Sequence, residues 1–397
     1  MKRVLMLFLC VLLATCGGCA LGGSEEAAVP EINLSPKPVP DTEGLAFTRA
    51  MGVGWNLGNT FDATGGTWIK DEMDIESAWC GVKTTEEVIQ AVADAGFHTI
   101  RIPVSWHDHV DESFRISEKW LSRVQQVVDW AYERGLYVII NIHHDCEPGY
   151  YYPSQAELET SKAYVTAIWT QVAERFRDYD EHLIFENLNE PRLKDTAYEW
   201  QCNPRIPEVA ESMDCINILN QTMVDAVRAA GGLNETRYIM VSGYDASPEG
   251  VMNDRFTLPE DTANDRLIIS THAYIPYNFA LQAPGEGGST AKWDIKNRSD
   301  ITVIATAMEN LYKRFVSKGI PVVMGEFGSR KKADNLASRV DHAAYYVASA
   351  AIRGIPCVWW DNHNFGNSGE AFGLLKRRSA TWEYPVLLEA ILAYSMK

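Results

Sequence analysis

From residue 44 to the C-terminus the chain reads as a (β/α)8 barrel in a single domain, on three observations. Short apolar runs alternate with amphipathic helical stripes, about eight of each over roughly 350 residues. Several runs end in polar or ionisable side chains, as strands do at the carboxyl end of a parallel sheet, where chemistry is usually placed. Two of those ends carry a glutamate, Glu190 and Glu326. A doubly wound open sheet is the other architecture with this alternation.

The elements follow in order. The first strand is expected at 51–57. The helix 85–95 opens on Thr-Thr-Glu-Glu, a capping hydroxyl with acids in the first turn, and closes at Gly96. The second strand is 98–104. The helix 118–134 carries Leu121, Val124, Val127, Val128 and Ala131 on one stripe and stops at Gly135. The third strand, 137–142, leads to a helix at 161–176 with Tyr164, Ile168, Val172 and Phe176 one turn apart. The fourth strand, 183–189, must stop before Pro191, which has no N–H for a sheet. A polar insertion, 194–212, precedes a helix at 214–230. The fifth strand is 238–242, and 245–264 lacks a clear period, so its helix is short or lost. The sixth strand is 267–272, the helix 301–318, the seventh strand 321–326, the helix 341–353, the eighth strand 355–360 and the last helix 384–394.

Ahead of the barrel, Lys2 and Arg3 precede an apolar run, 4–14, that is too short to span a bilayer. The stretch Leu-Leu-Ala-Thr-Cys-Gly-Gly-Cys at 12–19 resembles a bacterial lipoprotein signal, with Cys19 or Cys16 as the lipidated residue. Thr15 and Cys16 stand where Gly/Ala and Leu are usual, so plain secretion is the other reading. Either way the protein is expected to be exported, with 1–19 as signal and 20–43 as a Pro-, Gly- and Glu-containing tether. Five cysteines remain: Cys80, Cys146, Cys202, Cys215 and Cys357. An odd count cannot all pair. Cys202 and Cys215 flank a Pro-containing loop and suit either a disulfide or free thiols.

The formal net charge of −17, with no long basic run to offset it, argues against nucleic acid or an anionic membrane surface as partner. Twelve tryptophans offer faces suited to sugar rings, although about half would be needed simply to fill a core this size. There is no Gly-x-Ser-x-Gly, no Cys-x-x-Cys among the five cysteines after the signal, and the spacing Gly52-x-Gly54-x-x-x-Gly58 is one residue too long for a dinucleotide fingerprint. Two carboxylates at strand tips, without a cofactor motif, point to glycoside hydrolysis. One must protonate a poor alkoxide leaving group; the other must attack the anomeric carbon or activate water. The acid needs a raised pKa and the nucleophile a low one. Other strand tips supply support: Arg101, His143 and His144, Asn189, His272 and Tyr274, and Trp359 with Trp360. Of the last two, alternation along a strand puts Trp360 toward substrate and Trp359 toward the core. Asn56, Trp79 and His107 are further subsite candidates. His143-His144-Asp145 could in principle bind a metal, but no other cluster completes a shell, and no metal is expected.

At these residues the chain resembles glycoside hydrolase family 5. Ile-Phe-Glu-Asn-Leu-Asn-Glu-Pro (184–191) matches its acid/base signature. Arg101 in Arg-Ile-Pro, His143 in Asn-Ile-His-His, His272 and Tyr274 in His-Ala-Tyr, Glu326 in Gly-Glu-Phe-Gly, and Trp360 before Asp361 fall in the family's order. Gly-Trp-Asn-Leu-Gly-Asn-Thr (54–60), Arg-Ile-Pro-Val-Ser-Trp (101–106) and Trp-Trp-Asp-Asn (359–362) resemble its fourth subfamily. The resemblance implies a retaining endo-β-1,4-glucanase acting on β-glucan without metal or cofactor, with Glu190 as acid/base and Glu326 as nucleophile; a monomer is expected. It also implies a cis peptide between Trp360 and Asp361. Xyloglucanase, mannanase or xylanase activity on the same fold, or a non-catalytic glycan-binding barrel, are the alternatives. Cys80 stands where the family pattern has Gly, and the insertion with Cys202 and Cys215 lies outside that pattern.

Overall fold

Eight strands close on themselves in sequence order in the computed structural model, which describes residues 27–66 and 68–396. The signal and both candidate lipidation cysteines lie outside the described residues. The strands are β1 (Gly54–Leu57), β2 (Thr99–Ile102), β3 (Tyr137–Ile142), β4 (Leu183–Leu188), β5 (Ile239–Val241), β6 (Leu267–His272), β7 (Val322–Phe327) and β8 (Cys357–Asp361). Every neighbouring pair is parallel, and β8 returns to β1 with Asn56 opposite Trp360. The open sheet is therefore excluded. Helices cover the outer face, so the strands are buried on both sides, which is why they read as nearly continuous apolar runs.

The helices are α1 (Glu43–Met51), α2 (Glu86–Ala95), α3 (Glu118–Tyr132), α4 (Leu158–Arg175), α5 (Pro207–Ala229), α6 (Pro248–Met252), α7 (Tyr277–Ala280), α8 (Arg298–Arg314), α9 (Leu336–Ala351) and α10 (Pro385–Ala393). Two depart most from expectation. Residue 51 was expected in the first strand, yet it ends α1. That short helix turns Leu45, Phe47 and Met51 inward, and Gly52, with φ at +53°, breaks it. A Cβ on Gly52 would also come within 2.8 Å of the His98 ring. Second, α5 starts seven residues earlier than expected, because Pro207 fits the first turn of a helix, where its missing N–H costs nothing. The last third of the insertion, 207–212, is thus helix. The helix after β5, expected to be short or lost, is α6 with five residues.

The expected tether is only partly one. Residues 30–42 have no regular structure but are strapped to the base of the barrel. Tyr394 Oη receives the Ile32 N–H at 2.9 Å and donates to the Pro30 carbonyl at 2.6 Å. The Lys37 N–H donates to the Ile352 carbonyl at 2.8 Å, and Tyr312 Oη to that of Pro38 at 2.7 Å. Cys80, Cys146, Cys202, Cys215 and Cys357 are all free thiols, which removes the disulfide reading for Cys202 and Cys215. Among the described residues the one cis peptide joins Ile275 to Pro276; Trp360–Asp361 is not cis, contrary to the implication of the resemblance.

Inside the barrel the side chains form layers. The lowest is apolar: Ile139, Ile184, Met240, Ile268, Val323 and Val358, plugged from below by Phe47 and Met51. Two residues further along, on the same face of each strand, the filling turns polar. Asn56, Arg101, Asn141, Glu186 and Ser270 are all fully buried there. Glu186 was not expected to have a role. Its Oε2 receives Arg101 Nε at 2.6 Å and Asn141 Nδ2 at 3.1 Å, and its Oε1 receives the Ser270 hydroxyl at 2.6 Å.

Removing one partner of a buried ion pair leaves the other charge without compensation, at a cost of about 3 kcal/mol or more. Glu186→Ala should therefore lower the midpoint of chemical denaturation by an amount corresponding to about 3 kcal/mol. An unchanged midpoint would show that Arg101 does not need this carboxylate.

Candidate active site

The polar layer carries the next one above it. Arg101 reaches up from β2 with its guanidinium fully dressed. Besides Glu186 it donates to Asn56 Oδ1 at 3.0 Å, to Glu326 Oε1 at 2.8 Å and to Asn189 Oδ1 at 2.7 Å. Burial works against its charge, but the two carboxylates outweigh burial and hold its pKa above the ordinary arginine value. Asn56 is thus a supporter of Arg101 rather than a subsite residue. It is fully buried, and its amide donates to the Gly325 carbonyl at 3.0 Å.

Irregularities in strand register aim the residues of the mouth. The β3–β4 ladder shifts between Asn141 and Ile142, the β6–β7 ladder between Thr271 and His272, and the β7–β8 ladder between Met324 and Phe327. Each shift re-aims the side chains that follow it. His143, Asn189, Glu190, His272, Tyr274, Glu326 and Trp360 consequently border a single cleft of about 880 Å³. Tyr274 Oη donates to Glu326 Oε2 at 2.8 Å, so both oxygens of that carboxylate are held. His272 Nδ1 lies 2.9 Å from Glu190 Oε1 and 3.7 Å from Glu326 Oε1. The Trp360 indole lies parallel to the His143 ring, 5.8 Å away, and a Cβ on Gly58 would meet the indole at 2.8 Å. Trp359 is buried and donates to the Phe372 carbonyl at 3.2 Å, as its phase on the strand predicts.

The electrostatics differ from expectation at one point. Burial alone would raise the Glu190 carboxyl, but the hydrogen bond and charge of His272, with Arg192 and His144 behind it, outweigh burial and leave it below its ordinary value. His272 is the counterpart. Burial works against its charge, yet Glu326 and Glu190 outweigh burial and hold it above the ordinary histidine value. The two shifts are complementary: each group favours the charged form of the other across the 2.9 Å Nδ1–Oε1 contact. His143 is pushed well down, by burial first and by the charges of His144, Arg101 and His272 next. It is a neutral hydrogen-bonding group.

The remaining candidates divide. Trp79 and His144 border the cleft, their rings 5.4 Å apart, and Trp79 keeps 44% of its surface exposed. His107 does not border it. Its Nδ1 turns to Asp145 at 2.6 Å, a carboxylate already fixed by the Trp106 N–H and the Tyr164 hydroxyl. Among the described residues, two groups bring three potential ligand atoms within 4.8 Å of one another: Glu190, His272 and Glu326, and Asp62, His143 and His144. Their donors are already engaged. Asp62 accepts the Asn59 and Thr60 N–H groups at 2.9 and 2.7 Å, and His143 Nδ1 lies 3.1 Å from Asn141 Nδ2. Such a set suits hydrogen bonding better than ligation.

Sequence reasoning missed Trp200 and Asp245, both on the cleft wall. Trp200 stands in the insertion after β4, 59% exposed, with the Arg192 guanidinium 4.1 Å from its ring. A solvent-facing tryptophan in a polar insertion was the available signal.

A family model described as cellulase (glycosyl hydrolase family 5) matches residues 61–366. Endoglucanase B of Ruminococcus albus is 40% identical over 375 residues, covering 94% of this chain and 85% of that protein. A solved family 5 lichenase from Caldicellulosiruptor sp. F32 is 53% identical and superposes with a TM-score of 0.92, covering 93% of this chain and all of that one (100%). A broad-specificity endoglucanase of subfamily 4 from Ruminococcus champanellensis, solved with bound cellotriose, is 40% identical with a TM-score of 0.81, covering 90% of this chain and 100% of that one. With the barrel, the paired glutamates and these matches together, the chain belongs to glycosyl hydrolase family 5 and is like the endoglucanases of its fourth subfamily.

Proposed function

We propose that the protein is a retaining endo-β-1,4-glucanase acting on β-glucans, with Glu326 as nucleophile and Glu190 as acid/base. The carrying observation is the gap between them. One oxygen of each carboxylate and a His272 ring nitrogen all lie within 4.8 Å of one another. Retaining enzymes hold their carboxyls about 5–5.5 Å apart, whereas inverting ones leave about 6.5–9.5 Å for a water. The relatives named endoglucanase and lichenase support a β-glucan substrate, and the faces of Trp79, Trp200 and Trp360 suit its sugar rings.

Arg101 and Tyr274 hold the Glu326 carboxylate ionised and oriented for attack on the anomeric carbon. As the glycosyl ester forms, the proton shared by Glu190 and His272 goes through Glu190 to the leaving oxygen. The negative charge on Glu326 that favoured imidazolium disappears in the same step, so His272 is left neutral. Glu190, now a carboxylate, takes a proton from water, which opens the ester with net retention. Neutral His143 and Asn189 serve as partners for sugar hydroxyls, and Trp360 as the platform beneath the ring.

The sequence also supports export, with anchoring through Cys19 or Cys16 as the finer reading. No helix among the described residues is long and apolar enough to cross a membrane.

Three outcomes test this. Glu326→Ala should abolish reducing-end release from soluble β-glucan, with azide restoring turnover of an activated aryl cellobioside to give the α-azide. The matching Glu190→Ala reaction should give the β-azide. Full activity in either variant, or no release of reducing ends by the native protein, sinks the assignment. Relative rates on carboxymethyl-cellulose, xyloglucan, lichenan, glucomannan and xylan rank the substrates. In the free enzyme, kcat/KM should fall in acid as the nucleophile protonates and in base as the Glu190–His272 pair loses its proton. Since His272 is held above its ordinary value, the basic limb should lie above about pH 6.5; a limb near the carboxylate range would contradict the shared proton. Finally, changing both Cys16 and Cys19 to Ala should move the protein from the membrane fraction to the soluble one, and an unchanged partition argues against an anchor.

A further inference from the structure

The turn that follows β5 has an unusual conformation and faces the cleft. Asp245 and Ala246 are consecutive non-glycine residues in the left-handed region, both with φ of +49°. Such strain persists only where the surroundings over-determine it, and it gathers at functional sites. The surroundings here are specific. The Asp245 N–H donates to the Pro191 carbonyl at 2.8 Å, and that of Ala246 to Gly243 at 3.1 Å. Ser247 caps the short α6, its Oγ receiving the Gly250 N–H at 3.0 Å. Gly243 and Gly250 pack backbone against backbone: a Cβ on Gly243 would lie 2.6 Å from the Gly250 carbonyl carbon, and one on Gly250 would overlap the Tyr244 carbonyl oxygen. The tie to Pro191 fixes Asp245 to the same strand tip that presents Glu190.

The side chain is placed for a ligand. Asp245 is only 9% exposed, yet it borders the cleft beside Trp200, Ser247 and Glu249. Its Oδ1 receives the Ser247 N–H at 3.0 Å. Burial pushes the carboxyl up to about 7, with the Ser247 hydrogen bonds opposing and the charges of Glu190 and Glu249 adding. Near neutrality it can therefore both donate to and accept from a hydroxyl.

Its flank of the cleft is also defined. In the barrel β4 lies between β3 and β5. The β3 side carries His143, whose ring parallels Trp360, the proposed floor for the sugar that becomes bonded to Glu326. The β5 side carries Asp245, and the insertion after β4 brings Trp200 to the same wall. The geometry points to Asp245 as a specificity residue for the departing half of the chain, its carboxyl hydrogen-bonding a hydroxyl of the glucosyl unit that Glu190 protonates, with Trp200 alongside as a stacking face. This rests on the acid/base role proposed for Glu190.

The test exploits the leaving group. Cellopentaose places sugars on both sides of the cut, whereas a 2-chloro-4-nitrophenyl cellotrioside cut at its aryl bond places none on the departing side. Asp245→Ala should lower kcat/KM on cellopentaose about tenfold, the size of one lost hydrogen bond at a site left with an unpaired hydroxyl. The aryl trioside should be cleaved within about twofold of the native rate. Asp245→Ser, which keeps a hydroxyl for the Ser247 amide and so supports the turn, is too short to reach the cleft and should show the same split. Equal losses on both substrates would make Asp245 a structural or catalytic group and overturn the proposal, as would no loss on either. If the native protein cleaves neither substrate, the functional reading itself has failed and this one falls with it.

Discussion

A cation sealed inside the barrel holds the site together. Arg101 has no exposed surface, and taking such a charge out of water costs several kcal/mol before any partner is counted. The cost is offset only because Glu186, Glu326, Asn56 and Asn189 each accept from it. The guanidinium is planar and its donors are fixed in direction. Four acceptors from three strands (Asn56 on β1, Glu186 and Asn189 on β4 and its tip, Glu326 on β7) are therefore held in one fixed arrangement, and the upper two, Asn189 and Glu326, border the cleft. A lysine would carry the charge but could not impose the geometry.

Above that plane the site is a rigid network rather than a hinged one. Glu326 is gripped at both oxygens, Glu190 is hydrogen-bonded to His272, and the residues behind them are buried. Gly325 makes room for this: a Cβ there would lie 3.0 Å from His272 Nε2 and 3.1 Å from Ser270 Oγ. The imidazole can lie against the β7 backbone only because that position has no side chain. Catalytic electrostatics and close packing are one constraint here.

Much of this was visible in the amino-acid order, for a definite reason. Glu190, Glu326, Arg101, His143 and His272 sit at the ends of apolar runs, and a parallel barrel gathers all such ends on one face. What was not visible depends on rotation and on turns. Asn56 and His107 lie near strand ends, but one faces under Arg101 and the other turns to Asp145. Glu186 stood in plain view, a charge inside Ile-Phe-Glu-Asn-Leu, but its partner is 85 positions away across the barrel. Asp245 depends on two left-handed residues, a conformation their identity does not announce. Residue 51 read as the start of a strand because a helix as short as α1 shows too little periodicity to separate the two. The lowered Glu190 carboxyl could not be read at all, since it depends on which atom of His272 faces it.

The strap at 30–42 has a consequence for orientation. It is fastened to the loops entering β7 and β8, where Thr42 Oγ1 donates to the Gly319 carbonyl at 3.3 Å and Val39 lies near Gly354. Those loops lie at the pole of the barrel opposite the cleft. The described chain thus begins on the rear of the barrel, and a surface gripping this strap would leave the catalytic mouth pointing outward, toward an insoluble polymer too large to turn itself round.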